Sequence, residues 1–503
     1  MLNGSLLRTI PGRRLRCATL DRQPLRAYLG RGLVACAVLS LAACGGGGGS
    51  GTDTPKTPEG IQLLMRRGDE MPGGLVVNSV ESARMANDGT VVAIASQAGT
   101  PAINGVYRRR PSGQFDLVLD QGSPLAAGLA MTDVAQLLVS TTGEAVFKEG
   151  GNRIKAETVF YYDGGQTLRL AGAAAPTTPT GFEKLGELRL GPDGRVAFTY
   201  GNACDVDSSS GTDRFTCDLT LLTGTPDNLV QVGLPNALTR QRPTAVGLEY
   251  NTAGDLLVGL PASGRNPLIG IVRNGLFDSI VERQAVLPGY GKLVSATARS
   301  IATNGDVIFD AGFDTDDNGE RDQERLLLYS GGGFQSIAQL GEPAGSKFVV
   351  DVRGIAVDDR GQVTFQINFN DRDQSTGPIS LRQWSNGVTR EIAYEGMGTF
   401  GEDDMGNSYK LLEIESIRAN HVGDVAFTAR VGFVDNGTQN TEETRLLVDR
   451  GAGLETVLRT GVKFSAGTIS GIETLADIND SGDLLVIVEL RGQGRALVLL
   501  PRV

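Results

Sequence analysis

The stretch Asn304-Gly305-Asp306-Val307-Ile308-Phe309 is one of eight of its kind. The others are Asp88-Gly89-Thr-Val-Val-Ala93, Thr142-Gly143-Glu-Ala-Val-Phe147, Asp193-Gly194-Arg-Val-Ala-Phe198, Ala253-Gly254-Asp-Leu-Leu-Val258, Arg360-Gly361-Gln-Val-Thr-Phe365, Val422-Gly423-Asp-Val-Ala-Phe427 and Ser481-Gly482-Asp-Leu-Leu-Val486. Their glycines lie 54, 51, 60, 51, 56, 62 and 59 residues apart. The second residue after each glycine is Val, Ala or Leu, and the fourth is Phe in five of the eight. Glycine after Asn or Asp supplies positive φ in a tight turn, so each stretch predicts a hairpin. An apolar strand precedes the turn, as at Ile301 and Ile478. The strand after it alternates, with its second and fourth residues on one face.

A second hairpin follows in most repeats. Leu326-Leu-Leu-Tyr329 precedes Phe334-Gln-Ser-Ile-Ala338 across Gly331-Gly332, and Leu446-Leu-Val-Asp449 precedes Leu454-Glu-Thr-Val-Leu458 across Gly451-Ala-Gly453. Four short strands in a unit of about 50–60 residues, repeated, build an all-β propeller. The eighth unit lacks its last strand, and the chain offers an orphan, Ile61-Gln-Leu-Leu-Met-Arg-Arg67, before the first unit. That strand is expected to complete the last blade and close a ring of eight. Seven blades plus an irregular unit is the alternative.

Asn420-His421-Val422-Gly423-Asp424-Val425-Ala426-Phe427 resembles the NxxGxxAF repeat of bacterial choice-of-anchor tandem-repeat proteins, and Ile478-Asn-Asp-Ser-Gly482 and Asp193-Gly-Arg-Val-Ala-Phe198 resemble it in part. The likeness covers about residues 61–503. It implies a surface-anchored repeat protein and supplies no catalytic residues.

Before the repeats, residues 1–32 hold seven arginines and one acid, Asp21. The apolar run Leu33–Cys44 is too short to span a bilayer, which takes about 20 residues. Basic, apolar and small-residue segments in that order predict an export signal over 1–43. Leu41-Ala42-Ala43-Cys44 looks like a lipobox, which places a lipid on Cys44 and a Gly/Thr/Pro tether over 44–60. Two or three acyl chains anchor durably, because each buried methylene adds about 0.8 kcal/mol. With no Asp just after Cys44, the outer membrane is the expected destination, on its periplasmic or its outward side. Loss of 1–43 leaves 40 basic against 57 acidic residues, a net charge of −17. Cys17 and Cys36 would leave with the signal, and outside the cytoplasm Cys204 and Cys217 are then expected to pair.

The candidate cation loop is Asp314-Thr-Asp316-Asp-Asn318-Gly319-Glu320-Arg-Asp322. Alternating oxygens with glycine at the sixth place form the front half of an EF-hand-like calcium loop, so Asp314, Asp316, Asn318, Glu320 and Asp322 are the expected ligands. The twelfth place, where a bidentate Glu belongs, is Arg325. His421 reads as an exposed turn residue, and Trp384 as a packing residue on the third strand of the sixth unit.

The acidic balance, 58 Asp plus Glu against 47 Lys plus Arg, excludes a nucleic-acid-binding face. A single histidine rules out poly-His metal sites and disfavours a Ser-His-Asp triad. The sequence therefore favours binding or scaffolding at the envelope, toward a protein or glycan partner. The competing class is a propeller hydrolase or lyase acting on polysaccharide or peptide.

Overall fold

In the computed structural model, all eight repeat glycines lie at positive φ, between 75° and 89°. The turns share one hydrogen-bond pattern. The N–H of Gly423 donates to the carbonyl of Asn420, and the N–H of Asn420 donates to the carbonyl of Asp424. Each turn is thus a type I turn closed by a left-handed glycine. A polar side chain braces it. Ser140, Asn251, Asp358, Asn420 and Asn479 hold the first position and accept an N–H from further round the turn. Where that position is Ala86, Gly191 or Ala302, the brace moves two residues on, to Asp88, Asp193 or Asn304. At Gly423 a Cβ would lie 2.5 Å from a carboxylate oxygen of Asp358, so space and φ both exclude a side chain.

The structure describes residues 60–502, apart from 100–102, 127–133, 150–156, 174–179, 208–213, 235–245, 261–267, 283–284, 345, 371–376, 399, 402–407 and 436–437. Its strands form eight antiparallel sheets, one per repeat. In blade one the order is Ser79–Met85, Val91–Gln97, Ile103–Arg109 and Phe115–Asp120. In blades five, six and eight a two-residue strand leads in before the inner strand. The first strands of successive blades touch one another all the way round, from Ser79–Met85 to Gly467–Ile478 of blade eight and back to Ser79–Met85. They therefore form the inner wall of an eight-bladed β-propeller.

The closure is the one that the orphan strand predicts. Gln62–Arg66 pairs antiparallel with Gly494–Leu500 as the outer strand of blade eight, with Gln62 opposite Leu499. Eight closed blades exclude the seven-blade alternative.

The apolar core sits between the blades. Eight clusters fill the eight interfaces, such as Phe147 and Phe160 with Ile94 between blades one and two, and Leu485 and Leu497 with Val91 between blades eight and one. This corrects the expected alternation along second strands. Val307, Ile308 and Phe309 are each 0 % exposed, because a blade has a neighbour on both faces. Such strands read as unbroken apolar runs. Trp384 is buried between blades five and six, as expected.

Candidate functional site

Antiparallel strands place successive connections at opposite ends of a blade. All eight glycine turns therefore lie on one side of the ring, here the turn face. The links between second and third strands lie on the other, the hairpin face. Second strands begin directly after their turns, so extra length projects from the hairpin face. Blade eight, whose link is described throughout, has Leu484–Leu490 and Gly494–Leu500, seven residues each. Blade three has Val196–Asp207 paired with Arg214–Thr225, twelve residues each. Blade seven has Val425–Asp435 and Thr438–Asp449, and blade five has Val307–Asp314 and Gln323–Ser330. At about 3.3 Å per residue, the five residues by which its strands exceed those of blade eight carry the blade-three hairpin about 16 Å further out.

The cation loop predicted from sequence stands on this face, at the link of the blade-five hairpin. Asp314 is the last residue of its strand and is 2 % exposed. Its Oδ2 accepts the N–H of Gly319 at 2.7 Å, and its Oδ1 takes no hydrogen bond. Asp316 accepts from the backbone and side chain of Asn318. Asp322 reaches back to Thr315, accepting both its N–H and its hydroxyl, and these bonds hold its carboxyl below the usual range. One oxygen each from Asp314, Asp316 and Asp322 lie within 4.8 Å of one another. Asn318 braces the loop by accepting the N–H of Glu320. The exposed carboxylate of Glu320 is not one of the three, and the seventh place of such a loop offers its backbone carbonyl. Asp317, outside the three, pairs with Lys292 at 2.9 Å, and Glu324 pairs with Arg321.

Cys204 and Cys217 form a disulfide across the blade-three hairpin, as expected. Both are buried against Leu219 and Leu248. Cys44, the segment 1–43 and the tether to residue 59 lie outside the described residues. Among the described residues no helix is long and apolar enough to cross a membrane.

The turn face carries an arrangement that the sequence reading missed. The second turn residues of successive blades meet in a chain around the mouth of the ring. Asn87 of blade one donates to Asp480 of blade eight at 2.7 Å. Asp480 accepts the backbone N–H of His421 of blade seven and faces its Nδ1 at 3.2 Å. His421 gives its carbonyl to the N–H of Asp359 of blade six, and Asp359 accepts from Thr303 of blade five. His421 is therefore a half-buried ring member, correcting its reading as an exposed residue, because the neighbouring blade's turn packs over it. The bond to Asp480 raises its pKa against the opposing effect of burial.

One level inside the channel, the residue five before each repeat glycine is often charged: Arg84, Arg189, Glu249, Arg418 and Asp477. Alignment of the repeats on their glycines would have found this layer. Glu249 accepts the hydroxyl of Ser300, and burial raises its pKa while Arg189 and His421 pull it down. Asp477 is raised by burial and accepts the N–H of Met85 in the next blade. Arg84 donates to the carbonyl of Ala476. These groups lock neighbouring inner strands together. Near the turn face a cleft of about 400 Å³ opens between blades three and four, lined by Arg195, Thr223, Tyr250 and Asn274. Burial pushes the Tyr250 phenol up to about 12.

The profile of a family of unknown function (DUF7453) matches residues 55–237. No curated protein matches the sequence. Among solved structures, the chain is similar to the β-propeller domain of the trilobed protease from Pyrococcus furiosus, at 10% identity and a TM-score of 0.39 over 76% of this chain and 98% of that one. It is similar to the WD40 domain of SCAP from fission yeast, at 10% identity and a TM-score of 0.41 over 88% and 97%. It is also similar to the polysaccharide lyase Uly1, at 10% identity and a TM-score of 0.37 over 89% and 94%. At these identities the likeness is one of fold.

Proposed function

We propose that this chain is an exported, lipid-anchored envelope protein of the choice-of-anchor tandem-repeat kind, and that it binds or scaffolds a protein or glycan partner through its hairpin face. The observation that carries the reading is the length of the blade-three and blade-seven hairpins, whose strands run to eleven or twelve residues against seven in blade eight, since extended loops on a rigid scaffold are where binding resides. The disulfide stiffens one of them, which lowers the entropy lost on contact. Leu41-Ala42-Ala43-Cys44 and the glycine run Gly45–Gly49 support attachment by lipid and tether. Fold by itself assigns no activity.

The test uses the full chain in bacterial envelopes. Fatty-acid labelling should mark the wild type and not Cys44→Ser. Photocrosslinkers placed at the exposed Asp218 and Glu442, on the hairpin face, should capture a discrete partner. The same crosslinker at the exposed Leu276 and Val388, in the tight links on the turn-face side, should not. Labelling that survives Cys44→Ser sinks the anchor, and equal capture from both faces sinks the hairpin-face assignment. Turnover of an envelope polysaccharide or peptide by the purified protein would replace binding with the hydrolase or lyase reading.

A further inference from the structure

We infer that Asp314, Asp316 and Asp322 hold a calcium ion at the link of the blade-five hairpin. The inference does not depend on the lipid anchor or on any partner.

Three carboxylate oxygens that lie within 4.8 Å of one another repel. A hard cation bound to oxygens at about 2.3–2.6 Å holds two ligands on opposite sides roughly 5 Å apart, so a separation within 4.8 Å fits inside a calcium shell. Asp314 gives the independent sign. It is 2 % exposed, its Oδ2 is taken by Gly319, and its Oδ1 has no hydrogen-bond partner. A buried carboxylate oxygen left unpaired is costly, and such groups pair or coordinate metal. The nearby cations have other engagements, Lys292 with Asp317 and Arg321 with Glu324.

The donors settle the class of ion. Oxygen donors alone favour calcium or magnesium over zinc. Magnesium demands a tight octahedron and keeps its waters, whereas calcium accepts an irregular loop with more protein oxygens. The twelfth place supplies no bidentate carboxylate, because Arg325 there turns to Gln323 and Ser336. Three carboxylates without that clamp predict a weak site, with Kd in the range of about 10⁻⁴–10⁻³ M that extracellular modules show. Bound calcium would fix the loop between the two strands of a hairpin on the same face as the disulfide.

The experiment is calorimetric titration of calcium chloride into the full chain, purified in detergent and stripped with EDTA. The expected result is one site in that affinity range, at least tenfold weaker for magnesium, with a higher melting temperature in calcium than in EDTA. Asp316→Asn, at an exposed position that leaves the core intact, should weaken binding at least tenfold. Asp317→Asn, in the same loop and outside the three, should keep it within about twofold. No calcium heat and no melting shift at 10 mM calcium would overturn the site. So would equal losses in Asp316→Asn and Asp317→Asn, which would mark diffuse attraction by an acidic loop.

Discussion

The Nδ2 of Asn420 in blade seven donates to the backbone carbonyl of Asn479 in blade eight, 2.9 Å away. Its Oδ1 meanwhile accepts the N–H of Asp424 within its own turn. Asn251 does the same between blades four and five, bracing Asp255 and donating to Ala302. The repeat asparagine is thus a turn brace and a staple between blades.

Asn420→Ala should therefore cost more than a lost turn. It strands the N–H of Asp424, worth about 1–3 kcal/mol when unpaired, and removes the bond between blades, about 1 kcal/mol more, while the Asn479 carbonyl keeps the N–H of Gly482. We expect a loss of about 2–4 kcal/mol in urea unfolding. A loss below about 0.5 kcal/mol would contradict the staple.

His421 and Asp480 make the ring's stability depend on pH. The imidazole pKa is higher folded than unfolded, so protonation favours the fold. Its contribution is complete below the ordinary value of about 6.5 and fades as pH rises through the raised value. Burial would lift Asp480, but its bonds from His421 and Asn87 hold it low, so its contribution is lost only as pH falls through that depressed value. The melting temperatures of wild type and His421→Gln should differ most at about pH 5 and converge in alkali. A difference that grows with pH would refute the pairing.

Reduction of Cys204–Cys217 should destabilise the protein. A thirteen-residue separation predicts about 3 kcal/mol in the chain-entropy treatment. Wild type should melt lower with dithiothreitol present, and the double variant Cys204→Ala, Cys217→Ala should be indifferent to it.

Glu157, 3 % exposed, pairs with Lys184 at 2.9 Å and lies 3.9 Å from Lys148. Glu157→Gln leaves two buried ammonium groups without that carboxylate, a change of about 3–5 kcal/mol. Burial already lowers the Lys148 pKa, with Glu157 opposing. In the variant the unfolded chain binds more protons than the folded one, so stability should recover as pH rises toward the ordinary lysine value of about 10.4. Chemical denaturation between pH 7 and 10 reads this out.

Fold was legible because its signals are local. Gly89 through Gly482 mark turns that only positive φ completes, and the residues after them carry the core. The orphan strand could be placed because a propeller leaves one strand unpartnered. The staple of Asn420 was not legible, since its partner is 59 positions away in another repeat. The grouping of Asp314, Asp316 and Asp322 was visible in their spacing. The union of Lys148, Glu157 and Lys184 depends on blades two and three lying side by side.

The closing strand also sets the order of events in folding. Arg66 reaches Gln493 across 427 positions of sequence, and the pairing of Gln62 with Leu499 spans still more. Loops of that length close late and slowly. The other seven blades each draw their strands from within about 60 residues of sequence. The eighth draws its outer strand from the other end of the chain. Until residues 62–66 pair with 494–500, blade eight lacks its outer strand and the ring lacks its main-chain clasp.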